Sequence, residues 1–372
     1  MIFLILTLSL ILPSSTFLLA TAQMLFVFIA SIFVNKKIRI TEYYLFLTLI
    51  FLFILLGILH FFFTQDAEEF VDIVRFMPLL SFVLIRSKLN EITLGKVFFC
   101  VNLINITAVY LVENNLLSNF TEFLHARNLE ESYGRHSGIF VNVSNLGIYS
   151  LMGIVFSLKK IEKKNSLLDM IILISSGYLL LLSGSKTGLI LAGGYLAFQA
   201  FRNIILIQIN VISLLIIPLI SGMIYYWEEV KNSFYVLYKI STILTGGIAS
   251  ASSVQGRFDI WSGYLTLMYD NAMYVIFGLP LAIAETFSTT FDSDIIWLSV
   301  RFGFVGFFVF LYFWAKHLKR TRHFLSSSII LVASFFVGIL VSFQLCLFAL
   351  CLLYYFEERS NVDQREVQIV RD

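Results

Sequence analysis

Charged residues are scarce in this sequence: only 13% of its 372 residues are Asp, Glu, Lys or Arg. A soluble globular domain carries roughly 25% charged residues, so the composition excludes a water-soluble globule. Cysteine is scarce too, and the spacing of Cys100, Cys346 and Cys351 fits neither a zinc site nor a disulfide framework. We expect no metal, no other cofactor and no nucleic-acid partner; the net charge of +2 does not bear on the last of these, because the basic residues are segregated by topology.

Long apolar runs fill the rest of the chain, which is 59% hydrophobic with a mean hydropathy of +0.87. A membrane-spanning helix needs roughly 20 apolar residues. On this measure the sequence predicts an all-α polytopic membrane protein with about twelve transmembrane helices, or about eleven if the first run is one helix. It forms one integral membrane domain, residues 1–372, whose one long extracytoplasmic loop covers residues 227–294.

The basic residues predict which side each turn faces. If the lysine-rich segment 159–164 is cytoplasmic, alternation of the helices places 18 of the 26 Lys and Arg residues on that side, as the positive-inside rule requires. Both termini are then cytoplasmic. The other eight lie on the outer side against the rule, and they are Arg75, Arg127, Arg135, Lys186, Lys231, Lys239, Arg257 and Arg301. Positive charge kept there indicates an anionic ligand.

Three stretches carry such residues among other polar groups. Arg135 and His136 precede Asn142 and Asn145, which indicates either an anion and sugar site or a snorkelling arginine above interhelical amides. Lys186 lies in the segment Ser-Gly-Ser-Lys-Thr-Gly, which separates two apolar runs. The segment is either the start of a helix that binds an anion or a plain tight turn. Arg257 and Trp261 open an amphipathic stretch that is typical of an interfacial helix.

Further polar residues leave two interpretations open. Asp292 and Asp294 precede an apolar run, so each is either a helix cap or a candidate general base. Arg301 lies two turns into that run. Arg75 lies inside an earlier run, where pairing with Asp72 is the structural alternative.

The order of four motifs resembles the O-antigen polymerase and ligase superfamily of bacterial membrane glycosyltransferases. The motifs are Arg135-x-x-Gly138-x-Phe140 with Asn145-Leu146-Gly147, then Ser183 to Gly188, then Gly256-Arg257-x-x-x-Trp261, then Phe302-Gly303-x-x-Gly306-Phe307. Ligases of this superfamily carry a His-Asn motif where this chain has Asp292-Ser293-Asp294, so the polymerase side is favoured.

The resemblance implies a GT-C-like fold and a metal-independent transfer at the outer face of the bacterial inner membrane. The donor would be a glycan on undecaprenyl pyrophosphate, and the acceptor a sugar hydroxyl of another lipid-linked repeat unit. Membrane lipids and a chain-length regulator protein are the other partners it implies. The alternatives are an O-antigen ligase and, in different classes, a polysaccharide flippase or other transporter, or a non-catalytic scaffold.

On this resemblance each candidate residue receives a role. Arginine and lysine suit the leaving diphosphate because they supply fixed positive charge. The diphosphate-binding set is Arg135, Lys186, Arg257, Arg75 and Arg301, the sugar-binding set is Asn142, Asn145, His136 and Trp261, and the catalytic carboxylates are Asp292 and Asp294.

Overall fold

The computed structural model describes residues 1–12, 17–34, 51, 54–66, 69, 77–114, 136–140, 142–161, 166–205, 225–226, 229, 252–284, 293–321, 323–339 and 342–369. Within these ranges all regular secondary structure is helical, which confirms the all-α fold class. The helices are α1 (Ile2–Ile11), α2 (Phe17–Ile32), α3 (Ile54–Thr64), α4 (Met77–Ile85), α5 (Glu91–Glu113), α6 (Val143–Ile161), α7 (Leu167–Ser183), α8 (Lys186–Ile205), α9 (Ser252–Asp270), α10 (Ala272–Phe277), α11 (Leu281–Ala284), α12 (Asp294–Arg320), α13 (Phe324–Phe336) and α14 (Cys346–Ile369).

Two of the described helices, α5 and α12, are long and apolar enough to cross a membrane. Each is only partly buried inside the protein, and α12 exposes Phe304, Phe308 and Tyr312 along one face. Soluble proteins rarely expose contiguous apolar surface of this kind. Helices α1, α3, α7 and α13, and the apolar parts of α2 and α14, are shorter. The described chain is therefore compatible with a membrane protein, and the count of about twelve spans stays a prediction.

The chain forms two compact units. The first contains residues 1–12, 17–90 and 252–372, and the second contains residues 13–16 and 91–251. In the second unit, α6 packs along α7, while α5 packs on α7 and α8 packs on α6. Helix α6 is buried on nearly every side, as expected of the central helix in a bundle.

Polar side chains join these helices inside the bundle. The Nδ2 of Asn102 on α5 donates to the Oγ atoms of Ser175 and Ser176 on α7, at 2.7 and 2.9 Å. A Cβ added at Gly153 on α6 would collide with Ser176, so the small residue permits the close approach of α6 and α7. Small residues and short polar side chains are the usual means of joining helices in an apolar environment.

The lysine-rich end of the bundle is closed by an ion pair. Lys160 on α6 lies 2.9 Å from the Oδ1 of Asp169 on α7 and 3.5 Å from the Oε1 of Glu91 on α5. The Asp169 side chain is 1% exposed, whereas Glu91 is 34% exposed. The predicted candidate residues of this unit are at the opposite end of the same helices.

The first unit is built around α12, which is not one continuous helix. Gly303 has φ +58° inside it, and a Cβ there would lie 2.5 Å from the carbonyl oxygen of Ile276 on α10. Only glycine adopts that conformation without strain. The break lets the segment after α10 reach α12, where the Leu279 N–H donates to the Val300 carbonyl at 2.6 Å.

A helical hairpin completes the first unit, as the sequence predicts. The apolar run 326–356 is too long for one helix and predicts two that bend near Gln344. The structure gives α13 and α14, with Gln344 between them. Its Nε2 donates to the carbonyl oxygens of Leu10 and Leu12 at the end of α1, at 3.1 and 3.3 Å, so the bend also holds the N-terminal helix.

Candidate functional site

The segment 136–140 is held by two neighbouring helices. The backbone N–H of His136 donates to the Leu182 carbonyl near the end of α7, at 3.0 Å. The N–H of Ile139 donates to the Oδ1 of Asn105 on α5, also at 3.0 Å. Gly138 has φ +57°, and a Cβ there would strike the Asn105 side chain. The glycine of the first motif therefore lets the chain turn directly over Asn105.

The second motif is a capped break between two helices. Gly184 ends α7 in the left-handed conformation, with φ 62°. Ser185 then caps α8, because its Oγ accepts from the Gly188 N–H at 3.2 Å. Lys186 is the first residue of α8, where the positive end of the helix dipole adds to its ammonium charge. This agrees with the predicted helix start and shows that the turn is also tightly built.

Gly147 brings the two motifs into contact. It lies on the first turns of α6, and a Cβ there would collide with the Ser185 side chain. A Cβ at Gly188 would lie 3.1 Å from the Gly147 carbonyl oxygen and 2.8 Å from Leu180. The glycines and Ser185 thus let α6 and α8 approach at backbone distance. Motifs that are about 40 residues apart in sequence form one surface.

The two predicted asparagines have different environments. The Oδ1 of Asn142 accepts from the Asn145 N–H at 2.8 Å, so Asn142 caps α6. Asn142 is exposed, whereas Asn145 is 5% exposed. Asn142 is therefore a structural cap whose amide still faces the surface, and the predicted pairing of both asparagines on one sugar stays a prediction.

His136 contacts a carboxylate that the sequence analysis did not single out. Its Nε2 lies 3.2 Å from the Oε1 of Glu113 at the end of α5. The imidazole is 17% exposed, and burial lowers its pKa below the ordinary 6.5 although the nearby Glu113 charge raises it. His136 is therefore mainly neutral at pH 7, which suits a hydrogen-bonding group or a base better than an anion ligand.

Arg301 has a partner inside the first unit. Its Nη2 lies 2.8 Å from the Oε2 of Glu69, and its Nη1 donates to the Leu279 carbonyl at 2.6 Å. Both charged side chains are fully buried, and the Nδ1 of His60 lies 3.9 Å from the same Glu69 oxygen. A buried charge is normally compensated in this way. The geometry favours a structural role for Arg301 over its predicted contact with a diphosphate.

Asp294 is also engaged in the fold. It is the first residue of α12 and fully buried, and its Oδ2 accepts from the Ile339 N–H at 3.0 Å. The cap itself is Ser293, whose Oγ accepts from the Ile296 N–H at 3.4 Å. Of the two interpretations of Asp294, the structural one agrees with these contacts, since a buried carboxylate with a backbone donor is poorly placed to meet a sugar hydroxyl.

Arg257 and Trp261 lie on α9, so this amphipathic stretch is helical as predicted. Both side chains are half-buried. The Trp261 ring packs edge-to-face against exposed Phe258, with centroids 5.7 Å apart. Tyr264 and Met268, three and seven residues after Trp261, follow the same face of the helix and are buried. An apolar surface beside Arg257 fits the predicted interfacial helix.

Three predicted site residues, Arg75, Arg135 and Asp292, lie outside the described residues, so their roles stay predictions.

Asn105 and Glu113 were missed because both lie in or at the end of an apolar run that was interpreted only as a span. An asparagine in such a run is a signal in itself, since polar side chains there normally have a partner. Among the residues that the structure describes, no three His, Cys, Asp or Glu side chains form a group able to hold a metal ion.

Comparison with known proteins adds no further assignment. No family model matches the chain, and no curated protein matches it. The resemblance to the O-antigen polymerase and ligase superfamily therefore depends on the four motifs themselves.

Proposed function

We propose that this protein is a membrane glycosyltransferase of the O-antigen polymerase type. It transfers a glycan from undecaprenyl pyrophosphate to a sugar hydroxyl of another lipid-linked repeat unit, at the outer face of the bacterial inner membrane. The observation that carries the proposal is the contact of the first two motifs through Gly147, Ser185 and Gly188. This contact supports the proposal because Ser185, which meets Gly147, caps the helix that begins at Lys186.

The chemistry of this transfer matches the groups at that surface. The bond between the anomeric carbon and the diphosphate oxygen breaks, and negative charge develops on the leaving group. Fixed positive charge stabilises that transition state without a metal ion. Lys186 supplies such a charge at the start of α8, where the helix N–H groups point the same way. Arg135 and Arg257 complete the predicted set.

The membrane topology belongs to the same proposal. About twelve spans place both termini in the cytoplasm and the loop 227–294 outside. The Lys160–Asp169 end of the bundle then faces the cytoplasm, and the end with His136 and Lys186 faces outward. A lipid-linked substrate with its sugar outside and its tail in the bilayer reaches that end directly.

Substitution of Lys186 tests the proposal in cells. In a strain that lacks the native gene, Lys186→Ala should leave surface glycans with a single repeat unit, because one hydrogen bond to a charged group is worth about 1.5–3 kcal/mol, or about 10- to 150-fold in rate. Lys186→Arg should keep most of the polymer, since arginine carries the same charge. The measurement is the glycan ladder on gels, with membrane levels of each variant compared by immunoblot.

Lys319→Ala is the matched control. It removes a lysine from the last turn of α12, which the proposed topology places on the cytoplasmic side, and it should leave the ladder unchanged. A full ladder with Lys186→Ala would return Lys186 to the tight-turn interpretation.

The ladder of the strain without the gene separates the alternatives. Single repeats indicate a polymerase, accumulated lipid-linked polymer indicates a ligase, and the absence of any repeat from the outer face indicates a flippase.

A further inference from the structure

The proposed transfer needs a base, and Asp294, one of the two predicted carboxylates, is a poor candidate for it. When the acceptor hydroxyl attacks the anomeric carbon, its proton must leave at the same time. Asp294 is fully buried and accepts a backbone hydrogen bond. The base should instead be partly exposed, neutral at pH 7 and near the motifs that meet at Gly147.

We propose that His136, oriented by Glu113, is the general base of the transfer. Its backbone N–H is fixed to Leu182, four residues before Lys186, and its Nε2 lies 3.2 Å from the Glu113 carboxylate. With the hydrogen on Nε2 donated to Glu113, the lone pair of Nδ1 is the proton acceptor. A histidine whose second nitrogen is held by a carboxylate is a recurring arrangement for a base. This assignment depends on the proposed function and replaces the sugar-binding role predicted for His136.

The step balances without any further reactant. The acceptor oxygen forms a bond to the anomeric carbon, and its proton moves to Nδ1 of His136. The bond between the anomeric carbon and the diphosphate oxygen breaks, and its electron pair leaves with undecaprenyl diphosphate. The imidazolium that forms is stabilised by the Glu113 charge and later loses its proton to water. Glu113 acts as a positioning residue because it touches the base and not the substrate.

The surroundings of the pair fix its pH dependence. Among the described residues, the charged groups on the elements at this end are Glu113 on α5 and Lys186 on α8, while α7 contributes the Leu182 carbonyl. Burial lowers the pKa of His136 and the Glu113 charge raises it, with burial the larger effect. The transfer rate should therefore fall with decreasing pH only below the ordinary pKa of 6.5. Removal of the Glu113 charge should move that fall to still lower pH.

Kinetics of the full-length protein in detergent test the assignment. The substrate is purified undecaprenyl-pyrophosphate-linked repeat unit, and the rate is measured across the pH range. His136→Ala should lower kcat about 100-fold or more with little change in KM, as general-base removal typically does, and added imidazole should restore part of kcat. Glu113→Gln should lower kcat about 10-fold and shift the acid limb of the profile to lower pH.

The His317–Glu357 pair provides the matched control, since its Nδ1 and Oε2 are 3.5 Å apart at a distant place in the chain. His317→Ala should leave kcat unchanged. Two results would overturn the base assignment alone. In the first, the His136→Ala enzyme keeps its kcat but has a higher KM. In the second, imidazole does not rescue His136→Ala, and Asp292→Asn abolishes turnover. A wild-type protein that is inert at every pH would overturn the proposed function and this assignment with it.

Discussion

Glu69→Ala should lower the free energy of unfolding by about 3–5 kcal/mol, because it removes the carboxylate from a fully buried ion pair and leaves the Arg301 charge in the protein interior. The Leu279 carbonyl, which accepts from the same guanidinium, cannot compensate a full positive charge. The measurement is the midpoint of unfolding in a mixed detergent titration. This is the largest stability change that we expect from a single substitution in the described chain.

Two further variants separate the buried charge from other effects. In Glu357→Ala the partners are Arg320, which is 59% exposed, and His317, which is charged only when protonated, so the cost should be about 1 kcal/mol or less. The double variant Glu69→Leu with Arg301→Met should be more stable than Glu69→Ala, because it removes both charges. If Glu69→Ala folds as well as the wild type but loses transfer activity, Arg301 would be a substrate ligand, as the sequence predicts, and the structural interpretation would be wrong.

Gly147→Ala should reduce transfer about 100-fold while the protein still reaches the membrane. The added Cβ collides with the Cβ of Ser185. Because the Ser185 Cβ is attached directly to the backbone, a side-chain rotation cannot relieve the collision, and α6 and α8 must move apart. Overpacking of this kind typically costs about 1–3 kcal/mol of stability. The effect on rate is larger, because a displacement of about 1 Å between groups that act on one ligand costs about 100-fold.

Gly193→Ala is the matched control for that substitution. Gly193 lies inside α8, the helix that Ser185 caps, and a Cβ there meets nothing within 4 Å. It should therefore leave turnover unchanged and should slightly stabilise the helix. Turnover of lipid-linked repeat by both purified variants gives the comparison. Equal and full activity of Gly147→Ala and Gly193→Ala would mean that the contact of the two motifs has no part in catalysis.

The fold was predictable from sequence where the apolar pattern is long and bounded by polar residues. Helix α7 begins at the predicted residue, and the run 326–356 bends as predicted near Gln344. The break in α12 was not predicted, because a glycine within an apolar run is compatible with a continuous helix. The break accompanies the close approach of the Ile276 backbone to Gly303, which is a tertiary contact. Helices α10 and α11 within the loop 227–294 were missed because they are short.

The site was predictable in part for the same reason. The sequence predicted that a helix starts at Lys186, and α8 begins there, whereas the position of this charge on the outer side stays a prediction. It could not show that Glu69 neutralises Arg301, since the partners are 232 residues apart. Nor could it show that Asn105 supports Ile139 or that Glu113 meets His136. Such pairings depend on helix packing, and spacing along one chain does not determine them.

The most direct test of the proposed polymerase function is turnover of one substrate by the full-length protein. Purified protein in detergent is given undecaprenyl-pyrophosphate-linked repeat unit alone, with a chelator present throughout. We predict glycans of two and more repeats on the lipid, with one undecaprenyl diphosphate released for each bond formed. Lipid that keeps a single repeat unit, or lengthening that the chelator abolishes, would contradict a metal-independent polymerase.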